Sequence, residues 1–346
     1  NENNGKGGSK MVKIGIIGAG RIGQVHGKSI LTGVPEAKIE AIADPYLTAE
    51  ARAWAEGAGI QKISLDYKDI INDPEVDAVL ICSSTDTHCP ISLEAIAAGK
   101  HVFCEKPIDH NLANIYKVID ALKGTNIKYQ VGFNRRFDHN FMAIRQAVAE
   151  GKIGEQHIIR ITSRDPAPPP ISYVKVSGGL FLDMMIHDFD MVRYLSGSEV
   201  EEVYAVGAVL VDPEIGKAGD IDTAIVTLKL KNGALAVIEN SRKAVYGYDQ
   251  RAEVFGSKGS IQCTNDTSNN TTLATVDGVV SDKPLWFFLE RYMGAYQLEI
   301  KRFVNAIVND TPTDVGVMDG LAPVIIGLAA KKSLEEGRPV KLSEIC

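Results

Sequence analysis

Between positions 12 and 134, short β-branched runs alternate with stretches whose apolar residues recur at helical spacing. The apolar runs occupy residues 12–17, 39–43, 78–82, 102–104 and 129–133, and the amphipathic stretches residues 22–32, 48–56, 67–72, 91–98 and 112–122. Strands that are continuously apolar are buried on both faces, and strands separated by helices pair in parallel. Right-handed crossovers then give a doubly wound α/β domain. Beyond residue 134 the pattern changes. Helical spacing returns at 141–150 and 180–195, and then strands dominate, at 157–163, 202–211, 223–230, 234–241, 251–255, 260–263 and 271–276. Asn232-Gly233, between two alternating runs, predicts a two-residue hairpin turn with positive φ at both positions. Helices at 292–309 and 316–334 follow.

The expected fold class is therefore α/β: an N-terminal Rossmann domain over residues 11–134 and a C-terminal α+β domain with a large, mostly antiparallel open sheet over 135–346. Residues 1–10, polar and glycine-rich, are expected to be a tail outside the fold. The run Pro166-Ala167-Pro168-Pro169-Pro170 fits neither helix nor central strand and predicts a rigid loop.

Composition narrows the function. A formal charge of −7 over 346 residues opposes a nucleic-acid or acidic-membrane partner. Five cysteines, odd in number and without CxxC spacing, imply neither a disulfide framework nor a zinc site, and point to a reducing, cytoplasmic setting.

Gly18-Ala19-Gly20-Arg21-Ile22-Gly23 follows a predicted strand and opens a predicted helix, the context in which GxGxxG marks a dinucleotide site. Gly18 permits the tight turn, Gly20 the approach of a pyrophosphate, and Gly23 close packing of helix on strand. Asp44 ends the second strand, where a carboxylate accepts from both ribose hydroxyls and repels a 2′-phosphate, so NAD is expected over NADP. A turn residue before Pro45 is the competing reading of Asp44. The polar segment Ser83-Ser84-Thr85-Asp86-Thr87-His88 follows the run at 78–82, where it would meet the cofactor, or where Thr87 would cap the next helix.

Two groups carry candidate chemistry. Glu105-Lys106-Pro107 follows the run at 102–104, at the nicotinamide end expected for the cofactor. Asp183 and His187 stand four apart on a predicted helix, with Asp190 three further on the same side. Oxidising an alcohol by hydride loss requires removal of the hydroxyl proton. Histidine suits that task near neutral pH, a carboxylate orients it, and an ammonium favours the developing alkoxide. His187 would be the base, Asp183 its partner and Lys106 the hydroxyl anchor. An exposed helix pair and a solvated lysine are the alternative readings, and a metal site lacks an evident third ligand.

Together, residues 18–23, Glu105-Lys106-Pro107 and Asp183-xxx-His187 resemble the glucose–fructose oxidoreductase and inositol dehydrogenase family, over nearly the whole chain from Lys13. The resemblance implies a Rossmann domain, an α+β domain with an open sheet, often tetrameric through that sheet, and catalytic Lys106, Asp183 and His187. It implies NAD held by Gly18, Gly20, Arg21, Ile22, Gly23, Asp44, Ser83, Ser84, His88, Glu105 and Lys106. Stretches around 132–138, 187–191 and 246–251 are similar to inositol dehydrogenases, which implies oxidation of a cyclic polyol, foremost myo-inositol, and adds Arg135, Asp190 and Tyr246 to the polyol site. Asn134 departs from the methionine expected there, which leaves the stereoisomer open. Scyllo-inositol or aldose oxidation is the nearest alternative. An NAD-dependent glycosidase or a silent NAD-binding sensor would accumulate no NADH.

Overall fold

Six strands pair in parallel, and the central ones are apolar because both their faces are covered; in the fourth, every residue from Ala78 to Ile81 is fully buried. The computed structural model describes residues 11–346, so the expected tail at 1–10 lies outside the described residues. The strands are β1 (Val12–Ile17), β2 (Ala37–Ala43), β3 (Lys62–Ser64), β4 (Ala78–Ile81), β5 (His101–Cys104) and β6 (Tyr129–Val131). Their order is β3-β2-β1-β4-β5-β6, with the switch point between β1 and β4. The helices between them are α1 (Arg21–Gly33), α2 (Ala49–Gly57), α3 (Lys68–Ile71), α4 (Thr85–Ala97) and α5 (Leu112–Leu122). β3 was not expected from its short, half-polar sequence, and α4 starts six residues before the predicted helix.

The second unit begins with α6 (His139–Ala149) and the strand β7 (Gln156–Arg164). Next come α7 (Ile171–Val174), a π-helical turn at Leu180–Met184, and α8 (Ile186–Ser196). Strands β8 (Val200–Ala208), β9 (Thr223–Leu230), β10 (Leu235–Ser241), β11 (Asp249–Gly256) and β12 (Gly259–Cys263) follow, with α9 (Pro213–Lys217) after β8. A separate hairpin joins β13 (Thr272–Thr275) and β14 (Gly278–Ser281). The chain ends through α10 (Phe288–Arg291), α11 (Met293–Val308), α12 (Val317–Glu336) and β15 (Val340–Lys341). The seven-stranded sheet has the order β12-β11-β7-β10-β9-β8-β15, and only β7 and β10 pair in parallel.

Alternation sets the two faces of this sheet. In β9, Ala224, Val226, Leu228 and Leu230 are buried, while Ile225, Thr227 and Lys229 are exposed. Each buried valine or leucine contributes on the order of 1.5–3 kcal/mol. α6 packs on β11 and β12, and α8 on β7. The β9–β10 connection corrects the expected turn. It spans residues 231–234, and Gly233 alone takes a positive φ, of 89°. Asn232 instead accepts a hydrogen bond at Oδ1 from the Ala234 N–H at 3.1 Å, which a side-chain acceptor can do without left-handed backbone.

The chain divides at Phe133 rather than 134, and the segment Tyr296–Leu321 belongs to the first unit. That return is invisible to a boundary drawn on composition, because the segment is helical and apolar like its surroundings. Phe303 and Val304, fully buried, join the core around Ile14, Ile16 and Leu80.

Candidate functional site

The glycine loop of the first unit has the geometry its spacing predicted. Gly18 has φ of 103°, and a Cβ there would lie 2.6 Å from the Cys82 carbonyl carbon. A Cβ on Gly23 would lie 2.0 Å from the Gly18 oxygen, so α1 packs onto the loop at a distance only glycine allows. Gly20 is the opposite case, with nothing within 4 Å of its would-be Cβ. It is also the N-cap of α1 and supplies no side-chain acceptor, so the helix start faces open space with its N–H groups uncapped. Asp44 closes the loop from β2: its Oδ2 accepts from the Ala19 N–H at 2.7 Å and its Oδ1 from the Tyr46 N–H at 2.8 Å. An open, positively polarised helix start beside a carboxylate fits a dinucleotide, pyrophosphate at Gly20 and ribose at Asp44. Arg21 is exposed and Ile22 half-buried at the same helix start.

Ser83 and Ser84 lie at the carboxyl end of β4. Ser83 Oγ and Thr87 Oγ1 are 2.6 Å apart, and Thr87 donates to the Ser84 carbonyl at 2.7 Å. The helix therefore starts after Ser84, and Thr87 lies within its first turn instead of capping it. His88 is buried. Its Nδ1 faces the Pro107 carbonyl at 2.7 Å and its Nε2 the Ser83 carbonyl at 3.0 Å. Both nitrogens are taken by main chain, so His88 joins the two loops at this edge.

Glu105 follows β5 and carries Lys106, whose bond to Pro107 is cis. Glu105 Oε1 lies 2.6 Å from His26 Nε2, which is fully buried in α1. Lys106 is half-buried in the same segment.

The second unit gathers its charged groups where β7 and β10 end side by side. Their parallel register pairs Arg164 with Ser241, so the next residues, Asp165 and Arg242, emerge at one edge. Arg242 approaches Asp165 Oδ2 at 3.9 Å and donates to Asp183 Oδ2 at 3.3 Å. Asp183, in the π-helical turn, also accepts from the Tyr173 hydroxyl at 2.8 Å. His187 is half-buried in the first turn of α8. Burial pushes the Asp165 carboxyl up against the opposing pull of Arg242 and Arg135, to about 7. The Tyr173 phenol is driven upward by burial and by Asp183.

The residues expected to border a polyol are tied into the fold. Arg135, nearly buried, donates to Asp188 at 2.7 Å, and Asn240 donates to the same carboxylate at 2.9 Å. Its pKa is raised: burial opposes the charge, but Tyr292, Tyr248 and Asp188 outweigh it. Asp190, 1% exposed, receives two bonds from Arg136, at 2.6 and 2.8 Å. Tyr246 is partly exposed, donates to Asp249 at 2.6 Å and accepts from Arg164 at 3.0 Å.

Sequence reasoning missed His26, Asp165, Tyr173, Arg136 and Arg242. One signal was available. In β10 the even positions 236 and 238 are core-facing, so Asn240 and Arg242 continue the buried face with polar residues. A polar residue at a core-facing position marks a site or a buried network.

Fold and glycine loop together define an NAD-binding oxidoreductase. Residues 12–133 match the oxidoreductase family with NAD-binding Rossmann fold, and residues 141–262 match the GFO/IDH/MocA C-terminal domain. The chain belongs to the GFO/IDH/MocA family of oxidoreductases. It is 51% identical to a myo-inositol 2-dehydrogenase of Thermotoga maritima over 334 residues, 96% of this chain and 99% of that one. It is 44% identical to an inositol 2-dehydrogenase of Rhizobium meliloti over 333 residues, covering 96% and 99%. The solved scyllo-inositol dehydrogenase of Lactobacillus casei, with bound NAD(H) and scyllo-inositol, superposes with a TM-score of 0.89 at 33% identity, covering 96% of this chain and all of that one.

Proposed function

We propose that this chain oxidises a ring hydroxyl of a cyclic polyol with NAD, and that myo-inositol, going to its 2-keto product, is the leading substrate. The near full-length similarity to inositol 2-dehydrogenases carries this reading. In it, NAD when bound accepts the hydride. His187 takes the hydroxyl proton, Asp183 orients the imidazole, and the Lys106 ammonium holds the hydroxyl and stabilises the developing alkoxide. Such acid–base assistance is worth on the order of 10²–10⁴-fold. The π-helical turn supports the assignment of Asp183, since unwinding of that kind clusters at functional sites. Gly18, Gly20, Arg21, Ile22, Gly23 and Asp44 would hold the nucleotide, with Ser83, Ser84 and Glu105 alongside. Arg135, Asp190 and Tyr246 would shape the polyol site.

NADH formation, followed by near-ultraviolet absorbance with myo-, scyllo- and chiro-inositol, glucose and xylose, tests the reading. Fastest turnover with myo-inositol supports it. Faster turnover with scyllo-inositol, the ligand of the Lactobacillus casei structure, keeps the reaction and replaces the substrate. Sugar release without NADH moves the chain to NAD-dependent glycoside cleavage.

The outer face of the seven-stranded sheet exposes Tyr204, Val206, Ile225, Leu235 and Phe255. By register, Tyr204, Val206 and Ile225 cluster at one end of this face and Leu235 and Phe255 at the other, with Thr227, Lys229 and Glu239 between them, and exposed apolar clusters of this kind favour a covering partner. A second copy of the chain, within a homotetramer, is the occupant this reading assigns. No described helix is long and apolar enough to cross a membrane. All five cysteines are free, which suits a reducing, cytoplasmic setting.

A further inference from the structure

Three ionisable side chains meet beneath the Glu105–Pro107 segment of the first unit, outside the chemistry assigned above. His26 comes from α1, Glu105 from the end of β5 and Glu299 from α11, with one polar atom of each within 4.8 Å of the others. His26 and Glu299 are both 0% exposed. His26 Nε2 and Glu105 Oε1 are at charge-assisted hydrogen-bond distance, 2.6 Å. Neither oxygen of Glu299 has a hydrogen-bond partner among the described residues.

Cys82, Cys104, Phe103 and Tyr296 approach the cluster, and the Gln130 side chain donates to the main-chain carbonyl of Glu299 at 2.9 Å, not to its carboxylate. Two carboxylates at this separation with one imidazole cannot both stay ionised in a dry interior. The proton must reside on the one without donors. Burial, then the charge of Glu105, drive the Glu299 carboxyl upward in the same sense.

We propose that Glu299 is a positioning residue held as the neutral acid, so that Glu105 keeps its single pairing with His26 and fixes the adjoining Lys106 for the oxidation. Glu105 is gripped from two further sides. Its N–H donates to the Ile81 carbonyl at 3.0 Å, and a Cβ on Gly132 would lie 2.9 Å from Glu105 Oε2. With His26 taking one oxygen and the neutral Glu299 adding no second charge, the carboxylate has a single stable placement. Lys106, the next residue, inherits it.

The effect on turnover rests on the reading of Lys106 as hydroxyl anchor; the protonation state does not. The test is infrared spectroscopy of the full-length wild type and Glu299→Gln through a pH titration, with metal analysis of the same samples. The wild type should show the carbonyl stretch of a buried protonated carboxyl at neutral pH, and Glu299→Gln should lack that band. In turnover, Glu299→Ala should lower kcat about tenfold by loosening the segment, and Glu299→Gln should recover most of that loss. The alkaline limb of kcat should move to higher pH in Glu299→Gln, because the titrating acid is gone. A band that persists in Glu299→Gln, or is absent from the wild type, overturns the proposal. So does one divalent cation per chain that Glu299→Gln removes, since the three side chains would then be ligands. If the band behaves as expected but Lys106→Ala keeps full turnover, the neutral Glu299 stands and the role of Lys106 falls.

Discussion

His88 Nδ1 lies 2.7 Å from the carbonyl oxygen of Pro107, and its Nε2 lies 3.0 Å from that of Ser83. A ring that faces two acceptors must donate from both nitrogens, so it is an imidazolium. One buried cation thereby fastens the loop after β4 to the loop after β5, the two loops that end the strands beside the nucleotide edge.

The charge has a pH signature. Burial opposes it, but Cys104 and the two carbonyls outweigh burial and push the His88 pKa from 6.5 up to about 9. A pKa raised in the folded state gives stability that is fully present below about 6.5 and lost as pH rises through about 9. Urea unfolding across that window should show the loss in wild type. His88→Leu should cost about 3 kcal/mol at neutral pH, through two orphaned carbonyls, and should flatten the pH dependence. Equal pH profiles in the two proteins would refute the imidazolium.

Asp44 already holds the Ala19 N–H at 2.7 Å, so its carboxylate is aimed along the loop before any nucleotide arrives. Asp44→Ala should weaken NAD about ten- to a hundredfold, the worth of a charged hydrogen bond, and narrow the preference over NADP. Isothermal titration with both nucleotides checks it. Unchanged affinity for each would return Asp44 to a turn residue.

The first unit was largely legible because its signals are local. Three glycines at fixed offsets, continuous apolar strands and a carboxylate at the end of β2 each impose their geometry within a few residues. The second unit was legible as alternation but not as a site. Asp165 and Arg242 lie 77 positions apart and meet only because β7 and β10 pair in parallel, the one such pairing in a sheet otherwise antiparallel. The return of Tyr296–Leu321 to the first unit was hidden for the same reason, and with it Glu299. The Asn232-Gly233 turn was misjudged because Asn232 uses its side chain where positive φ was expected.

Asp190 is gripped by Arg136 through two bonds and is 1% exposed, so its charge serves the fold first. Asp190→Asn should leave Arg136 short of its counter-charge and cost about 3 kcal/mol, with KM for the polyol changed less than stability. Thermal melts and steady-state kinetics on one preparation separate the two. A risen KM at unchanged melting temperature would instead put Asp190 against the substrate.

Asp165 is raised by burial to about 7, so its proton is lost near neutrality, beside Arg242 and Asp183. The folded state holds that proton longer than the unfolded chain does. Stability therefore falls as pH climbs from about 4 to about 7, and Asp165→Asn, permanently neutral, should escape that fall. Denaturant midpoints at the two ends of the window measure it; a variant with the wild-type slope would remove Asp165 from the titration.

Lys106 and Asp44 make opposite demands on the enzyme, which lets one pair of variants separate binding from chemistry. Asp44 belongs to the nucleotide edge, and its loss should appear in NAD affinity. Lys106 is assigned to the substrate hydroxyl, so Lys106→Ala should leave the Kd for NAD within about threefold while lowering kcat/KM by on the order of 10²-fold or more. Stopped-flow binding of NAD, by quenching of protein fluorescence, gives the first quantity. Polyol oxidation gives the second. Asp183→Asn should fall with Lys106→Ala, in kcat and not in NAD binding, because the carboxylate that Tyr173 and Arg242 hold in place would no longer be charged. If Lys106→Ala turned over at the wild-type rate, the alkoxide would need another cation, and the assignment of the Glu105-Lys106-Pro107 segment to the reaction would be wrong.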